Sequence, residues 1–217
     1  MPENAVDLVS KVHLIVALFG YLLGSIPFGL VLTRLAGLGD IRNIGSGNVG
    51  TTNVLRTGNK PLALLTLLLD AGKGGIAALI AYHLYPGGPN GLDFAIVAGL
   101  AAVIGHNFPV WLKFKGGKGV ATTLGTLLVI SWQIGLAACV TWVVIAALFR
   151  YSSLAALVAL AAAPLYAGLM GFEKVAVFAA LLTILAFVRH HENIRRLLKG
   201  EESKIGRKKV NKIKAFH

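Results

Sequence analysis

Charge is the first thing this chain lacks. Only 14% of its 217 residues are Asp, Glu, Lys or Arg, against about 25% in an ordinary soluble domain. Acids are scarcest, with 9 Asp and Glu against 21 Lys and Arg and a net charge of +12. Cysteine is nearly absent: Cys139 stands alone in an apolar run, which excludes a disulfide framework and a thiolate metal site and reads as a small buried hydrophobe. Acids do not cluster either, so no metal and no cofactor is expected. The first ten residues carry Glu3 and Asp7 and no basic segment. A cleaved signal peptide is therefore not expected, and the first helix should stay. Repeats and low-complexity linkers are missing.

What is present is a succession of apolar runs, 56% hydrophobic overall. A spanning helix needs about 20 apolar residues. The runs predict an all-α integral membrane protein, one domain over 1–217. Clear candidates are 13–37, 61–85, 93–112, 154–170 and 174–188. The stretch 120–149 is long for one helix and short for two. Charge resolves it, because Lys and Arg concentrate in cytoplasmic loops. Arg34, Arg42, Arg56 and Lys60 follow the first run, and Lys113, Lys115 and Lys118 the third. Ten cations from Arg189 to Lys214 follow the last. The loop 86–93 has one acid, and Gly171-Phe-Glu-Lys174 is neutral. Two crossings, about 119–132 and 133–149 with a turn near Ser131-Trp132-Gln133, put every basic loop on one side. The expectation is seven transmembrane helices, N-terminus outside, C-terminus cytoplasmic, with a basic tail over 189–217. A re-entrant hairpin at 119–149 would give the same sidedness. Gly20 and Gly24, Gly72 and Gly75, and Gly99 are expected at close helix approaches.

Net positive charge selects anionic partners; the membrane setting favours lipid and phosphorylated metabolites over nucleic acid. Three polar stretches fit them: Gly45-Ser-Gly-Asn-Val-Gly-Thr-Thr-Asn-Val-Leu-Arg56, Lys113-Phe-Lys-Gly-Gly-Lys-Gly119 and Arg189-His-His-Glu-Asn-Ile-Arg-Arg196. Gly45, Gly47 and Gly50 match the dinucleotide fingerprint in letters, but come after a membrane helix instead of a strand. The second stretch lacks the Ser or Thr of a nucleotide-triphosphatase loop. In both, glycines let backbone N–H groups converge on phosphate oxygens. Ser46, Asn48, Thr52 and Asn53 add neutral donors. Arg56, Lys60, Lys115 and Lys118 add charge, with Arg able to fork two oxygens. On a continuing helix His190 and Asn193 share a face.

Two polar pairs fall inside spans. Asp70 and Lys73, at i and i+3, lie on one face and can pair, which a bilayer demands of buried charge. His106-Asn107 lies late in the third span, near the second loop. His13 and His83 fall near the opposite side and read as packing residues.

Taken in order, Ser46-Gly-Asn-x-Gly-Thr-Thr-Asn53-x-x-Arg56, Gly116-Gly-Lys-Gly-Val-Ala-Thr122 and His190-His-Glu-Asn-Ile-x-Arg-Leu197-x-x-Gly-Glu201 resemble the bacterial acyl-phosphate–glycerol-3-phosphate acyltransferase family (the PlsY type). Gly24-Ser-Ile-Pro-Phe-Gly29 and Asp70-x-x-Lys-Gly74 fit it too; Thr51 stands where Ala is frequent. The resemblance covers about 24–206. It implies transfer of a fatty acyl group from acyl-phosphate to the 1-hydroxyl of glycerol 3-phosphate, giving lysophosphatidic acid and phosphate. It also implies a bacterial plasma membrane, a cytoplasm-facing site and a functional link to the acyl-phosphate-forming enzyme.

The residues agree with that chemistry. Both substrates carry phosphate and the donor carries a long chain, so two anion pockets beside an apolar slot are needed. The chain has no Gly-x-Ser-x-Gly elbow and no His followed five positions later by Asp. Direct attack without an acyl-enzyme is the expected mechanism. Ser46, Asn48, Arg56, His190 and Asn193 are the expected catalytic set. Gly47, Gly50, Thr52, Asn53, Lys60, His106, Asn107, Lys115, Gly116, Gly117 and Lys118 are expected to hold substrate, with Asp70 and Lys73 in support. The base is left open between His190 and a substrate phosphate oxygen. The alternative reading is a transporter of an anionic phosphorylated metabolite.

Overall fold

A computed structural model describes residues 3–84 and 91–206, and these form helices and loops with no strand. Tyr85, most of the loop predicted over 86–93, and the tail from 207 onward lie outside the described residues. The helices are α1 (Glu3–Gly24), α2 (Phe28–Leu35), α3 (Thr51–Val54), α4 (Lys60–His83), α5 (Gly91–Asn107), α6 (Val120–Ile130), α7 (Trp132–Phe149), α8 (Ser152–Leu169), α9 (Glu173–Arg189) and α10 (His191–Leu198). Among the described residues, five segments are long and apolar enough to cross a bilayer: Val9–Leu35, Lys60–His83, Gly91–Leu112, Trp132–Phe149 and Ser152–Leu169. The pair α9 and α10 would be a sixth, but it bends by 65°.

The local chemistry explains the boundaries. Asn59 caps α4, accepting from the Leu62 N–H at 3.0 Å, with Pro61 in the first turn; proline there loses no helical bond. Pro27 has no N–H to continue α1, so the first span breaks at Ser25-Ile26-Pro27 and restarts as α2. Ser25 Oγ donates to Leu22 O (2.7 Å) and accepts from Trp111 Nε1 (2.7 Å), binding the break to the end of the third span.

Lipid is as apolar as leucine, so these helices associate by close packing. The buried core is accordingly rich in alanine, while Leu64, Leu68, Val143, Leu165 and Ile184 face outward. A Cβ on Gly24 would fall 2.1 Å from Ala102 O, and one on Gly125 2.1 Å from Ala71 O. These contacts set α1 on α5 and α6 across the middle of α4. Gly72 is not such a contact, since a Cβ there would meet nothing nearer than 4.0 Å; Gly74, against Thr122 and Thr126, takes that place beside Gly75.

Helix α6 is short, as expected of a run that is short for two helices. It has 11 residues, about 16 Å at 1.5 Å per residue, too little to span the hydrocarbon by itself. The cause is the loop before it. Residues 116–119 fold back into the bundle: Gly116 and Gly117 N–H donate to the carbonyls of Asn107 (3.2 Å) and His106 (2.9 Å), and Gly119 packs against Asn107 and Val103.

Gly24→Val, which must push α1 off α5, should lower the melting temperature in detergent by about 5–10 °C, corresponding to ~2–3 kcal/mol of overpacking. Gly72→Ala, measured in the same way, should leave it within about 2 °C.

Candidate active site

The first loop is built around Asn53. Its side chain is 1% exposed. Its amide nitrogen lies 2.9 Å from Ile41 O, 2.9 Å from Ile44 O and 2.8 Å from Asn48 O, and its Oδ1 accepts from Ser46 N–H at 3.1 Å. The sequence predicts a substrate contact for Asn53; the structure instead commits all its polar atoms to the loop. Gly45 and Gly47 turn the backbone with φ of 58° and 71°. Gly50 precedes α3 and donates its N–H to Asn48 Oδ1 (3.3 Å). With the loop so tied, Ser46, Gly47, Thr52 and Arg56 stay exposed. Arg56 lies along Gly45, where a Cβ would meet its Nη1 at 2.6 Å.

The second loop corrects a further expectation. The Gly116 and Gly117 N–H groups do not point at an anion; they cap α5. Their carbonyls accept from the Arg189 guanidinium at 3.0–3.2 Å, which also stacks over the Phe108 ring at 4.9 Å. Glycine is required at 117 because a Cβ would lie 1.9 Å from His106 Nε2. Lys118 points the other way and donates to Asn193 Oδ1. Next to it starts α6, whose N-terminus no side chain caps. Beneath lies Asn107, 0% exposed, with neither side-chain amide atom hydrogen-bonded.

The third stretch bends at His190, so α10 lies across the bundle end. His190 and Asn193 are buried. His190 Nδ1 sits 2.7 Å from Ala186 O, a geometry satisfied when Nδ1 carries the proton and Nε2 keeps its lone pair. Burial, aided by Lys118 and Arg189, pushes its pKa to about 4; the ring is neutral near pH 7. Burial and then Arg196 push Lys118 down to about 8, against the opposing pull of Glu202 and Glu192.

One residue outside the predicted set ties the site together. The third sequence motif ends on Glu201, but it is Glu202 that turns inward, its side chain 7% exposed. It accepts from Arg196 Nε (2.6 Å), Asn193 Nδ2 (2.7 Å) and Ser153 Oγ (2.9 Å). Burial alone would raise its pKa; these hydrogen bonds outweigh burial and hold it below the usual carboxylate value. Residues 201–206 continue as a strap over the bundle end. Ser203 Oγ accepts from Arg56 Nη2 (2.6 Å), Ile205 N–H donates to Arg150 O (2.7 Å), and Thr52 Oγ1 meets Ser152 Oγ at 3.0 Å. The three motifs are thus joined at one end of the bundle.

Three expected ligands stand outside this cluster: Lys60 and Lys115 are exposed, with no side-chain bond to it, and His106 is buried among the helices. Asp70, Lys73 and His106 lie deeper. Among the described residues no three His, Cys, Asp or Glu side chains gather as metal ligands would.

A family model described as glycerol-3-phosphate acyltransferase matches residues 14–200. The chain belongs to the glycerol-3-phosphate acyltransferase family. It is 66% identical to the glycerol-3-phosphate acyltransferase of Rhodospirillum rubrum over 197 residues, 89% of this chain and 91% of the relative. It is 63% identical to that of Paramagnetospirillum magneticum, over 88% of this chain and 92% of the relative. Two solved structures of PlsY (YgiH), an integral membrane glycerol 3-phosphate acyltransferase, share the fold. The glycerol 3-phosphate form gives a TM-score of 0.83 at 43% identity, covering 89% of this chain and 96% of that one. The lysophosphatidic acid form gives 0.80 at 42%, covering 88% and 94%. The transporter alternative finds no support in these likenesses.

Asn53→Asp should separate an architectural role from a binding one. It sets a carboxylate against buried carbonyls that each lose a donor, at about 1–3 kcal/mol apiece. The melting temperature in detergent should fall together with activity; a substrate ligand would show a raised KM and an unchanged melting temperature.

Proposed function

We propose that this protein transfers a fatty acyl group from acyl-phosphate to the 1-hydroxyl of glycerol 3-phosphate, in a bacterial plasma membrane, with the site facing the cytoplasm. The observation that carries the reading is the meeting of the three motifs: Lys118 of the second on Asn193 of the third, and Arg56 of the first on Ser203, beside Glu202. Such a convergence of cations and amides suits two phosphorylated substrates. The related structures in glycerol 3-phosphate and lysophosphatidic acid forms support the acceptor and the product.

The sidedness rests on charge. The end of the bundle that holds Arg56, Lys118, Arg150, Arg189, Arg195, Arg196 and Lys199 is its basic end, as cytoplasmic faces are. That gives seven crossings with the N-terminus outside.

Ser46, Asn48, Thr52 and Arg56 hold one phosphate and the oxyanion that develops on the acyl carbonyl. Lys118, with the uncapped start of α6 and the unpartnered Asn107 amide behind it, favours the second phosphate. Gly47 and Gly50 shape the first pocket, Gly116 and Gly117 the second. Lys60 and Lys115, at the exposed rim, draw anions in by long-range attraction. His190 and Asn193 orient the acceptor.

Acyl-phosphate is a mixed anhydride, already activated. The acceptor hydroxyl oxygen bonds to the acyl carbon, the bond from that carbon to the phosphate oxygen breaks, and the hydroxyl proton ends on the released phosphate. His190, at about 4, is a weak base at neutral pH but a sound hydrogen-bond acceptor through Nε2. A substrate phosphate, with a second pKa of about 6, is better matched to take the proton. No acyl-enzyme is formed.

The test uses purified protein in detergent with acyl-phosphate and glycerol 3-phosphate, monitoring phosphate release and lysophosphatidic acid. Arg56→Ala and Lys118→Ala should each lower kcat/KM by about 100-fold or more, and Lys115→Ala by less than about tenfold. A trapped acyl group on Ser46 in a single turnover would contradict direct attack.

The pH profile tests the acid–base assignment. His190, with its lowered pKa, is neutral across the working range, so the profile should show no histidine inflection near 6.5. Lys118 loses its proton as pH rises through about 8, so kcat/KM should fall above that pH. Lys118→Arg, always charged, should move that limb upward if it retains activity.

A further inference from the structure

We propose that Asp70, Lys73 and His106 act as a positioning strut that fixes the first substrate loop relative to the second. The three are 2%, 2% and 6% exposed and sit among the transmembrane helices, on α4 and α5. Removing charges from water costs several kcal/mol per ion, and an apolar pair of equal volume often holds a fold as well. What an apolar pair cannot supply is the set of directed contacts this group makes.

On one side, Lys73 Nζ donates to Asp70 Oδ1 (2.8 Å) and to the Ile26 carbonyl (2.8 Å), and faces the Phe28 ring at 5.6 Å. Ile26 is the break from which α2 starts. One turn on, Gly29 presses against the first loop so closely that a Cβ would fall 1.9 Å from Val49 O. Val49 is flanked by Asn48 and Gly50 of the phosphate-holding loop. On the other side, Asp70 Oδ1 lies 3.7 Å from His106 Nδ1. The opposite ring nitrogen, Nε2, is what a Cβ on Gly117 would strike at 1.9 Å, and His106 O accepts the Gly117 N–H. Gly117 precedes Lys118. The path from Asn48 to Lys118 therefore crosses the membrane interior through backbone contacts without side-chain clearance, a proline-broken helix and one ion pair. No step in it contains a freely rotating surface side chain.

The inference rests on the reading that these loops hold the two substrates. Reacting groups displaced by about 1 Å can cost roughly 100-fold in rate, so a strut of this kind acts on kcat through geometry. Asp70, Lys73 and His106 are positioning residues; none is placed in contact with substrate.

The experiment uses the double variant Asp70→Asn with Lys73→Met, which removes both charges together and leaves no uncompensated ion. Nitroxide labels at the exposed Asn43 and Lys113, in a Cys139→Ser background, report the distance between the loops. The strut predicts a protein with near-normal melting temperature, a broadened or shifted Asn43–Lys113 distance distribution, and kcat lowered by about 10- to 100-fold, with KM for glycerol 3-phosphate changed by less than about threefold. A wild-type distance distribution, or an unchanged kcat, overturns the proposal. His106→Gln, which keeps the ion pair and removes only the link to the second loop, carries the same two readouts if the double variant does not fold. Absence of acyl transfer in the unsubstituted protein would refute the substrate reading alone, because the distance measurement needs no substrate.

Discussion

Inside a bilayer no water is available to satisfy a stray polar group, so every loop that enters must bring its own partners. The glycine loop at 116–119 obeys this constraint at each step. It descends into the bundle because the last carbonyls of α5 need donors, and Gly116 and Gly117 supply them. The carbonyls of those glycines then need donors in turn, and Arg189 supplies these from the end of α9. The sunken loop leaves α6 only the inner part of the bundle, which is why that helix is short. It also leaves Lys118 projecting toward α10. A hydrogen-bond requirement deep in the structure thus decides where a cation stands at its surface.

The same requirement divides the polar residues into two kinds. Asn53, Lys73 and Arg189 donate to backbone carbonyls and hold backbone in place, with Asp70 paired to Lys73. Ser46, Thr52, Arg56 and Lys118 bind no backbone carbonyl through their side chains and stand at the bundle end. Residue type does not distinguish the kinds; the partner does. His190 belongs to both, with Nδ1 engaged by the Ala186 carbonyl and the ring at the bundle end.

Much of this was legible in the sequence. Hydrophobic length placed the later runs within a few residues of α4 and of α6 to α9, because burial in lipid is a local and additive property; α1 starts at Glu3, well before the first run. The bunching of Gly, Asn and Thr in 45–56, and of cations at loop ends, marked the stretches that meet at the bundle end. What escaped notice depended on contacts between distant residues. That Asn53 closes its own loop, that Gly117 caps α5 and meets Arg189, and that Glu202 instead of Glu201 turns inward are facts of tertiary geometry. The shortness of α6 was legible, because 120–149 is short for two helices; that the preceding loop sinks into the bundle was not. The break at Pro27 is different, because the proline alone signals it; the length of the apolar run around it masks that signal.

The strap at 201–206 has a consequence for biosynthesis. Arg56, near the beginning of the chain, is held by Ser203, and Asn193 and Ser153 by Glu202. These partners leave the ribosome only after every helix has been made. A nascent chain halted before residue 200 would contain all the membrane-crossing segments and still lack the last ties of its catalytic end. The ties that join the three stretches would form only once residues 202–205 had followed the last helix.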